Sequence, residues 1–450
     1  MRKFAQVKTA LPGPRSRALT EREKPFLAPG IQSISQLAGL ALDGGEGALI
    51  RDADGNRFID FVAGICVASL GHGHPALAEA LDRQARRIAA GSFTTEARVE
   101  LLERIAGETS RIGSGALTRT QLYSGGSEAV ESALRLARAH TKKFEVISFW
   151  GGFHGKTAGV LGLMGSDFKH GLGPLPPGVH VVPYPDGYRP PFGAAAPSTQ
   201  QVIEHLRSVV KYQTSGSIAA ILVEPMQGTN GNVLPPPDFL PEVKRVAREL
   251  GALLILDEMI TGWARTGRMF GQMHFDVEAD IITFGKGVAS GYPVTGLVST
   301  DAIVGSADPW SRPSFSSSSY GGAPLGAAAA NAVTRVIVEE RLAEHAARVG
   351  ETLLAALRRL EKYEFVGEVR GKGLLAAVEL VESRQTKQPL SKSTCEWIFK
   401  QCLERGLLTM AYAPRVRINP PLVITEAEAL EGVAILDEVF AALQQKGWKN

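Results

Sequence analysis

The sequence has few of the residues and patterns that mark several classes of protein. Its 450 residues include three cysteines, Cys66, Cys395 and Cys402, and no two of them form a CxxC pair. This is too few for a disulfide scaffold, and the chain is therefore expected to work in a reducing compartment, the cytoplasm. No metal site is expected.

The sequence also lacks long runs of one charge and long apolar runs. Its 49 basic and 46 acidic residues are interspersed and leave a formal net charge of +3, so a nucleic-acid partner is not expected. No stretch reaches the roughly 18 to 20 apolar residues that span a bilayer. Residues 1–15 lack the apolar core of a signal peptide. These absences predict a soluble, cytoplasmic protein with neither a nucleic-acid nor a membrane partner.

What the chain does have is length, and 44% hydrophobic residues, enough for a large core and two or more domains. Between about residues 76 and 330, apolar runs alternate with helical patterns, which is typical of an α/β fold with a mostly parallel sheet. The apolar runs are 145–149, 218–223, 252–256 and 281–284. The domains predicted are an N-terminal arm with part of a small domain (1–75), a large domain (76–330) and a C-terminal small domain (331–450).

Other patterns predict individual elements outside these strands. The first 30 or so residues are rich in proline and arginine and are expected to form an extended arm. Alternating residues predict hairpins at 47–61 and 365–379. Helical patterns predict one long helix near 323–347 and a last one at 425–445.

Lys286 follows a short apolar run and stands between two glycines. A lysine at the end of a buried strand loses its proton more readily and can form a Schiff base with an aldehyde. A lysine in a loop more often extends its charge into solvent. Taken alone, the residue favours this second interpretation.

Three further patterns have similar alternatives. Asp257 ends an apolar run, as when a parallel strand delivers an acid to a ligand site, although a salt bridge or a turn cap explains it as well. The loop Ser124-Gly-Gly-Ser127 opens a helical pattern in which Ser127 is the natural N-cap, so its backbone N–H groups either hold a phosphate or simply start a capped helix. Phe153, among glycines, either lies flat on a planar ring or fills a core.

The order of these patterns, with Lys286 29 positions after Asp257, resembles the class III (subgroup II) pyridoxal-phosphate-dependent aminotransferases of fold type I. The resemblance runs from about residue 30 to 440. Its motifs lie at 61–75, 223–228, 256–267 and 320–325. It implies a large domain with a mostly parallel seven-stranded sheet, and a smaller α+β domain built from both termini.

The resemblance also implies the site. Lys286 and Asp257 are the catalytic residues: Lys286 binds pyridoxal 5'-phosphate as a Schiff base and then moves the substrate's proton, and Asp257 pairs with the pyridine nitrogen. The cofactor-binding residues are Gly126, Ser127, Phe153, His154, Glu224, Asp257, Ile260, Lys286 and Ser319. Phe153 stacks on the ring, and Gly126 and Ser127 hold the phosphate. Ser319 reaches the neighbouring subunit's cofactor, which implies a homodimer, or a tetramer, with shared active sites.

Three substrate-binding residues are implied in the same way: Ile65, Lys156 and Arg417. Arg417 matches an arginine that binds a carboxylate through paired hydrogen bonds. Lys156 stands where 4-aminobutyrate aminotransferases have a second such arginine, and lysine keeps the charge but not the planar fork. Two further positions differ from those enzymes: Ile260 replaces a glutamine, and Thr229 replaces a glutamate that neutralises the arginine.

The function implied is transfer of an amino group from an amine or ω-amino acid, 4-aminobutyrate being the single best choice, to a 2-oxo acid such as 2-oxoglutarate or pyruvate. Two hypotheses stay open within the same fold, an amino-acid racemase or epimerase and a decarboxylating relative. Ile65 argues against the decarboxylases, which have glutamine there. A non-catalytic relative is disfavoured because Lys286 and Asp257 are both present.

Overall fold

The computed structural model describes residues 2–193 and 199–448. The chain divides into two compact units, one formed by residues 1–78 with 344–450 and the other by residues 79–343. Both termini therefore contribute to the first unit. The domain boundaries drawn from the sequence at 75/76 and 330/331 stay a prediction.

The helices of the described residues fall in both units. In chain order they are α1 Pro14–Glu23, α2 Ser33–Ala38, α3 Ala63–Cys66, α4 Pro75–Ala85, α5 Glu96–Thr109, α6 Gly126–Thr141, α7 Ala158–Leu161, α8 Thr199–Gln213, α9 Phe239–Glu249, α10 Asp301–Ser306, α11 Pro324–Glu339, α12 Leu342–Arg358, α13 Lys392–Glu404 and α14 Glu426–Lys446. In the part of the chain that the structure covers, none of them has the length and apolar character needed to cross a bilayer.

The strands form three sheets. In chain order they are β1 Leu42–Glu46, β2 Leu49–Asp52, β3 Arg57–Asp60, β4 Leu117–Tyr123, β5 Glu145–Phe149, β6 Val179–Val182, β7 Ile218–Val223, β8 Leu253–Asp257, β9 Ile281–Phe284, β10 Thr295–Thr300, β11 Val366–Lys372, β12 Leu375–Leu380, β13 Leu407–Leu408 and β14 Arg415–Ile418.

The first unit contains two small sheets, of order β1-β2-β3-β13 and β11-β12-β14. The hairpins predicted at 47–61 and 365–379 are confirmed as β2–β3 and β11–β12, both antiparallel. Every residue of β12 is buried, because it is the central strand of its sheet.

The second unit is built on a seven-stranded sheet of order β4-β10-β9-β8-β7-β5-β6. The five strands from β9 to β6 are parallel, and β10 is antiparallel to both of its neighbours. The mostly parallel sheet is confirmed, and all four predicted apolar runs are strands of it. Because β4 and β9 both oppose β10, β4 runs in the same direction as β9. Six of the seven strands therefore end at one edge of the sheet.

Two expectations about the helices were wrong. The N-terminal arm is not wholly extended, since α1 begins at Pro14 and the Asp54 carboxylate caps it, accepting from the N–H groups of Arg15 (2.7 Å) and Ser16 (2.8 Å). A cap contributed from about 40 positions away cannot be read from the local pattern. The single helix expected at 323–347 is two helices, α11 and α12, because Arg341 has a left-handed backbone (φ 53°) that ends the first one.

Candidate active site

The carboxyl edge of the seven-stranded sheet collects most of the residues singled out from the sequence. Asp257 is the last residue of β8, and Lys286 lies two positions after the end of the neighbouring strand β9. Glu224 follows β7 directly. Since these parallel strands are adjacent, the three side chains start from the same edge, where open α/β sheets bind their ligands.

Asp257 is the most closely held of these residues, with 2% of its surface exposed. One carboxylate oxygen, Oδ2, lies 2.8 Å from Nδ1 of His154. The other, Oδ1, accepts from the Thr283 hydroxyl and from the N–H of Met259, both at 3.1 Å. These contacts fix the carboxylate's orientation at the end of the strand.

His154 is equally buried, and charge decides its protonation. Burial alone would lower its pKa, but the hydrogen bond and the charge of Asp257 outweigh burial, and the pKa of His154 is raised. The charge of Glu224 acts in the same direction, and that of Lys286 opposes it. Three charged side chains, from the carboxyl ends of β7, β8 and β9, thus lie close enough to act on one imidazole.

Glu224 is a buried acid whose pKa lies near neutral pH. Burial raises its pKa to about 7, although the charge of His154 and two backbone donors act in the opposite direction. Those donors are the N–H of Phe153, at 2.9 Å from Oε1, and the N–H of Gly228, at 3.1 Å from Oε2. Glu224 therefore ties the loop that carries Phe153 and His154 to the end of β7.

Lys286 emerges from a tight turn. Its backbone is left-handed (φ 44°), and a Cβ on the preceding Gly285 would come within 2.7 Å of Sδ of Met259, so a glycine is needed there. The side chain is half-buried and has no hydrogen bond or ion pair with any residue that the structure describes. Its amine is free to react.

The loop at residues 124–127 differs from the prediction in the position of the helix N-cap. Helix α6 begins at Gly126 with Gly125 as its N-cap, so Ser127 lies inside the first turn and is not the cap. The Glu128 carboxylate reaches back to the residues before the helix and accepts from the N–H of Ser124 (3.2 Å) and of Gly125 (3.4 Å). The Ser127 hydroxyl accepts from the N–H of Lys156 at 3.2 Å, and it can donate its own proton to an anion at the helix start.

The loop with Phe153 packs directly on this helix start. A Cβ on Gly155 (φ 124°) would lie 2.1 Å from Oγ of Ser127, so only glycine permits the approach. The Phe153 ring is half-buried and meets Phe168 edge-to-face, with the centroids 5.5 Å apart. Nζ of Lys156 lies over the same two rings, 4.8 Å from the centroid of Phe168 and 5.9 Å from that of Phe153.

These features suit a flat, phosphorylated aldehyde with a ring nitrogen. The start of α6 can bind an anion, and Phe153 is an aromatic residue flanked by glycines. Asp257 is a buried carboxylate held by His154, and Lys286 supplies a free amine. Among the described residues no cluster of His, Cys, Asp and Glu could hold a metal ion.

Comparison with known proteins gives the same answer. The family model for the class-III aminotransferases matches residues 33–440. The chain belongs to this family. The aminotransferase is 33% identical over 452 residues to an alanine/serine racemase of Pyrococcus horikoshii, covering 97% of this chain and 93% of the relative. It is also 33% identical to a probable 4-aminobutyrate aminotransferase of Bacillus subtilis, covering 93% and 96%.

Solved structures agree in fold and cofactor. An amine transaminase from an uncultivated Pseudomonas species, in its PLP-bound form, superposes with a TM-score of 0.86 at 30% identity, covering 93% of the aminotransferase and 98% of that chain. An ω-transaminase from Thermomicrobium roseum gives 0.87 at 33% identity, covering 96% and 100%. The aminotransferase has fold type I, and its cofactor is pyridoxal phosphate, which the residues of the site fit.

The structure places the other predicted residues as follows. Ile260 is buried against Gly228, where a Cβ would lie 2.3 Å from its Cδ1. Ser319 is exposed on the segment before α11. Arg417, in β14 of the first unit, is half-buried, and its guanidinium has no carboxylate within 4 Å among the residues described.

Ile65 lies in an unusual turn of the first unit. Residues 63–66 all have left-handed backbones, with φ 65° for Ile65 itself, which is rare for a β-branched residue. The Asp60 carboxylate holds the turn by accepting from the N–H groups of Val62 (2.8 Å) and Ala63 (2.9 Å). Ile65 and His72 line a mostly apolar cavity of about 320 Å³.

Two contributors to the site were missed from the sequence. Thr283 stands opposite Asp257 in the strand register, and a polar residue inside the apolar run 281–284 was a signal that could have indicated it. Phe168 lies in a short 3₁₀ turn with no recognisable pattern. Only the fold brings it to Phe153.

Proposed function

We propose that this aminotransferase takes its amino group from an ω-amino acid, with 4-aminobutyrate as the first donor to test, and passes it to a 2-oxo acid such as 2-oxoglutarate or pyruvate. The observation that carries the proposal is the position of Lys156. Its ammonium lies over the rings of Phe153 and Phe168 and has no acidic partner within 4 Å among the described residues. In the sequence, Lys156 comes three residues after Phe153.

Pyridoxal phosphate, when bound, supplies an aldehyde for the amine and an electron-accepting ring. Lys286 would hold the cofactor through its amine, and the same amine, once free, would be the base that takes the proton from the donor Cα and gives it back. Asp257 would pair with the ring nitrogen and favour its protonated form, and His154 holds the Asp257 carboxylate in place. Ser127 and the N–H groups at the start of α6 would hold the phosphate, and Phe153 would lie against the ring.

Glu224 and Ile260 complete the cofactor pocket. Glu224 keeps the Phe153 loop on the sheet edge through the backbone hydrogen bond described above, and Ile260 closes the wall by packing on Gly228. Arg417 binds the carboxylate of the 2-oxo acid, and Ile65 contacts the apolar part of the substrate. Because the two substrates use the same cofactor in turn, the kinetics are ping-pong.

Lys156→Met is expected to raise KM for 4-aminobutyrate about tenfold, because a charge-assisted hydrogen bond to the donor carboxylate is lost. Methionine keeps the length of the side chain and its contact with the two rings. The same variant should leave kcat/KM for n-butylamine, which has no carboxylate, within about twofold of its wild-type value. Initial rates with 2-oxoglutarate as acceptor measure both.

Lys211→Met is the matched control for that experiment. Lys211 also lies over an aromatic ring, that of Tyr212, at 4.9 Å, but it is on α8, away from the sheet edge that carries the site. The control variant should leave the kinetic constants for both donors unchanged. Equal effects of Lys156→Met on 4-aminobutyrate and n-butylamine would contradict a carboxylate-binding role.

We further propose that the enzyme is a homodimer in which Ser319 of one subunit contacts the cofactor phosphate of the other. Ser319 is exposed, and so are the aromatic side chains of the next residue, Tyr320 (74% exposed), and of Phe93 (72%), two positions after Gly91. The segment that carries Phe93 and the segment that carries Ser319 and Tyr320 are in contact, since a Cβ on Gly91 would lie 3.0 Å from Cα of Ala323. Exposed aromatics of this kind mark subunit interfaces.

Mixing two inactive variants tests the sharing of the site. Lys286→Ala and Ser319→Asp should each abolish activity, the second by placing a negative charge against the phosphate. If Ser319 acts across the interface, each mixed dimer keeps one wild-type site. Co-refolding equal amounts should therefore restore about a quarter of wild-type activity. No recovery, in a mixture shown by tag pull-down to contain mixed dimers, would place Ser319 in its own subunit's site.

A racemase is the second candidate. Thr229 cannot neutralise Arg417 as a glutamate would, so Arg417 stays available to an α-carboxylate, and one relative is an alanine/serine racemase. A racemase exchanges the Cα hydrogen of L-alanine for deuterium in D₂O, with loss of optical activity and without a 2-oxo acid. An aminotransferase needs the 2-oxo acid for turnover.

A further inference from the structure

We infer that this chain has a second ligand site, separate from the cofactor site, that binds a multivalent oxyanion carrying a hydroxyl group. It is a cavity of about 430 Å³ in the second unit, lined by residues of α4, α5 and α11 and of the segment just after α4. None of its lining residues belongs to the cofactor site described above. Its volume lies within the range of small-molecule sites.

The cavity concentrates positive charge without the partners that surface arginines normally have. Four arginines line it, Arg83, Arg87, Arg104 and Arg335, against two glutamates. Only Arg87 has a carboxylate within 4 Å among the described residues, that of Glu96 at 3.6 Å. Three guanidinium groups therefore face one cavity uncompensated.

Buried polar atoms at the cavity are also left without partners. Nε of Arg104 is shielded from solvent and has no acceptor. Asn331 is 8% exposed; its Nδ2 donates to the carbonyl of Ala97 at 2.8 Å, while its Oδ1 has no donor. Such atoms lower stability unless something binds them.

The chemistry of these groups selects the ligand. Guanidinium groups match the planar, paired oxygens of carboxylates and phosphates, and several of them around one space require more than one anionic group. The Asn331 oxygen can only accept, so the ligand must also present an O–H or N–H donor. Hydroxylated polycarboxylates and sugar phosphates share this chemistry.

Citrate, tricarballylate and glycerol 3-phosphate are suitable probes. Citrate has three carboxylates and a hydroxyl, tricarballylate lacks only the hydroxyl, and glycerol 3-phosphate represents the phosphate source. With the cofactor-loaded enzyme, citrate should raise the unfolding midpoint saturably, by about 3 °C at concentrations well above its dissociation constant. Tricarballylate should need a higher concentration, and sodium chloride of equal ionic strength should have no saturable effect.

Removal of two charges should abolish the shift. The double variant Arg104→Gln/Arg335→Gln removes two of the uncompensated guanidinium groups, and the single variant Arg335→Gln, at an exposed position, serves if the double variant is unstable. The matched control Arg248→Gln/Arg359→Gln changes the same charge at exposed positions outside the cavity and should keep the shift. The variant Arg417→Gln should also keep the citrate shift, because Arg417 belongs to the proposed substrate site and not to this cavity.

Each outcome decides the inference. A citrate shift lost in the cavity variant and kept in the controls supports the site, and the response to glycerol 3-phosphate then separates phosphate from carboxylate ligands. A shift that survives in the cavity variant, that disappears in Arg417→Gln, or that sodium chloride reproduces would overturn it. None of these results depends on which amino donor the enzyme uses.

Discussion

Lys286→Ala is expected to lower kcat at least about 10⁴-fold while the protein still folds. The amine is asked to do two things, to hold the cofactor and to move the substrate proton, and general acid–base catalysis alone contributes 10²- to 10⁴-fold. Folding should survive because the side chain has no hydrogen bond or ion pair among the described residues, so its removal leaves no buried group unsatisfied.

Borohydride reduction followed by mass spectrometry separates the two tasks. The wild-type chain should gain the mass of the reduced cofactor at Lys286, and the variant should not. Added methylamine should restore part of the turnover of Lys286→Ala, since a free amine can replace the missing base. A variant that kept more than about a tenth of the wild-type rate would remove Lys286 from the chemistry.

Asp257→Asn is expected to lower kcat/KM about 10³-fold, because the isosteric amide cannot stabilise a protonated pyridine nitrogen. The same change removes the charge that raises the pKa of His154. The imidazole is then neutral in a larger fraction of the molecules, and the site loses its ion pair. Initial rates, together with retention of cofactor during dialysis, measure the effect.

Glu258→Gln is the matched control for Asp257→Asn. Glu258 is the next residue and equally buried, but its carboxylate accepts from the N–H groups of Gly271 and Gln272, both at 2.8 Å. Its replacement should lower the unfolding midpoint and leave the rate at low temperature nearly unchanged. If both variants lost activity only in proportion to lost stability, Asp257 would be a structural residue.

The sequence predicted the parts of the fold that are determined locally. The strands that deliver Asp257 and Lys286 are short runs of apolar, often β-branched residues, and such runs are recognisable wherever they occur. Lys286 alone pointed the other way, towards solvent, and only its spacing from Asp257 and the neighbouring motifs indicated chemistry. The order of those motifs identified the family correctly.

What the sequence could not predict depends on contacts between distant segments. Asp54 caps a helix 40 residues before it, so α1 was expected to be extended. Gly125, and not Ser127, is the N-cap of α6, because the helix starts one residue earlier than the pattern indicated, and only the backbone geometry decides that start. Phe168 reaches the site through the path of a loop, and no periodicity encodes that path.

The left-handed turn at residues 63–66 has a consequence for how this enzyme can change. Laboratory evolution that widens a binding pocket usually loses stability, because each truncated side chain leaves a void. At Ile65 the backbone itself disfavours a β-branched residue, by about 1 kcal/mol or more. Glycine there would both enlarge the cavity and relieve the turn, so variants selected for bulkier substrates should arise at this position with little loss of thermal tolerance.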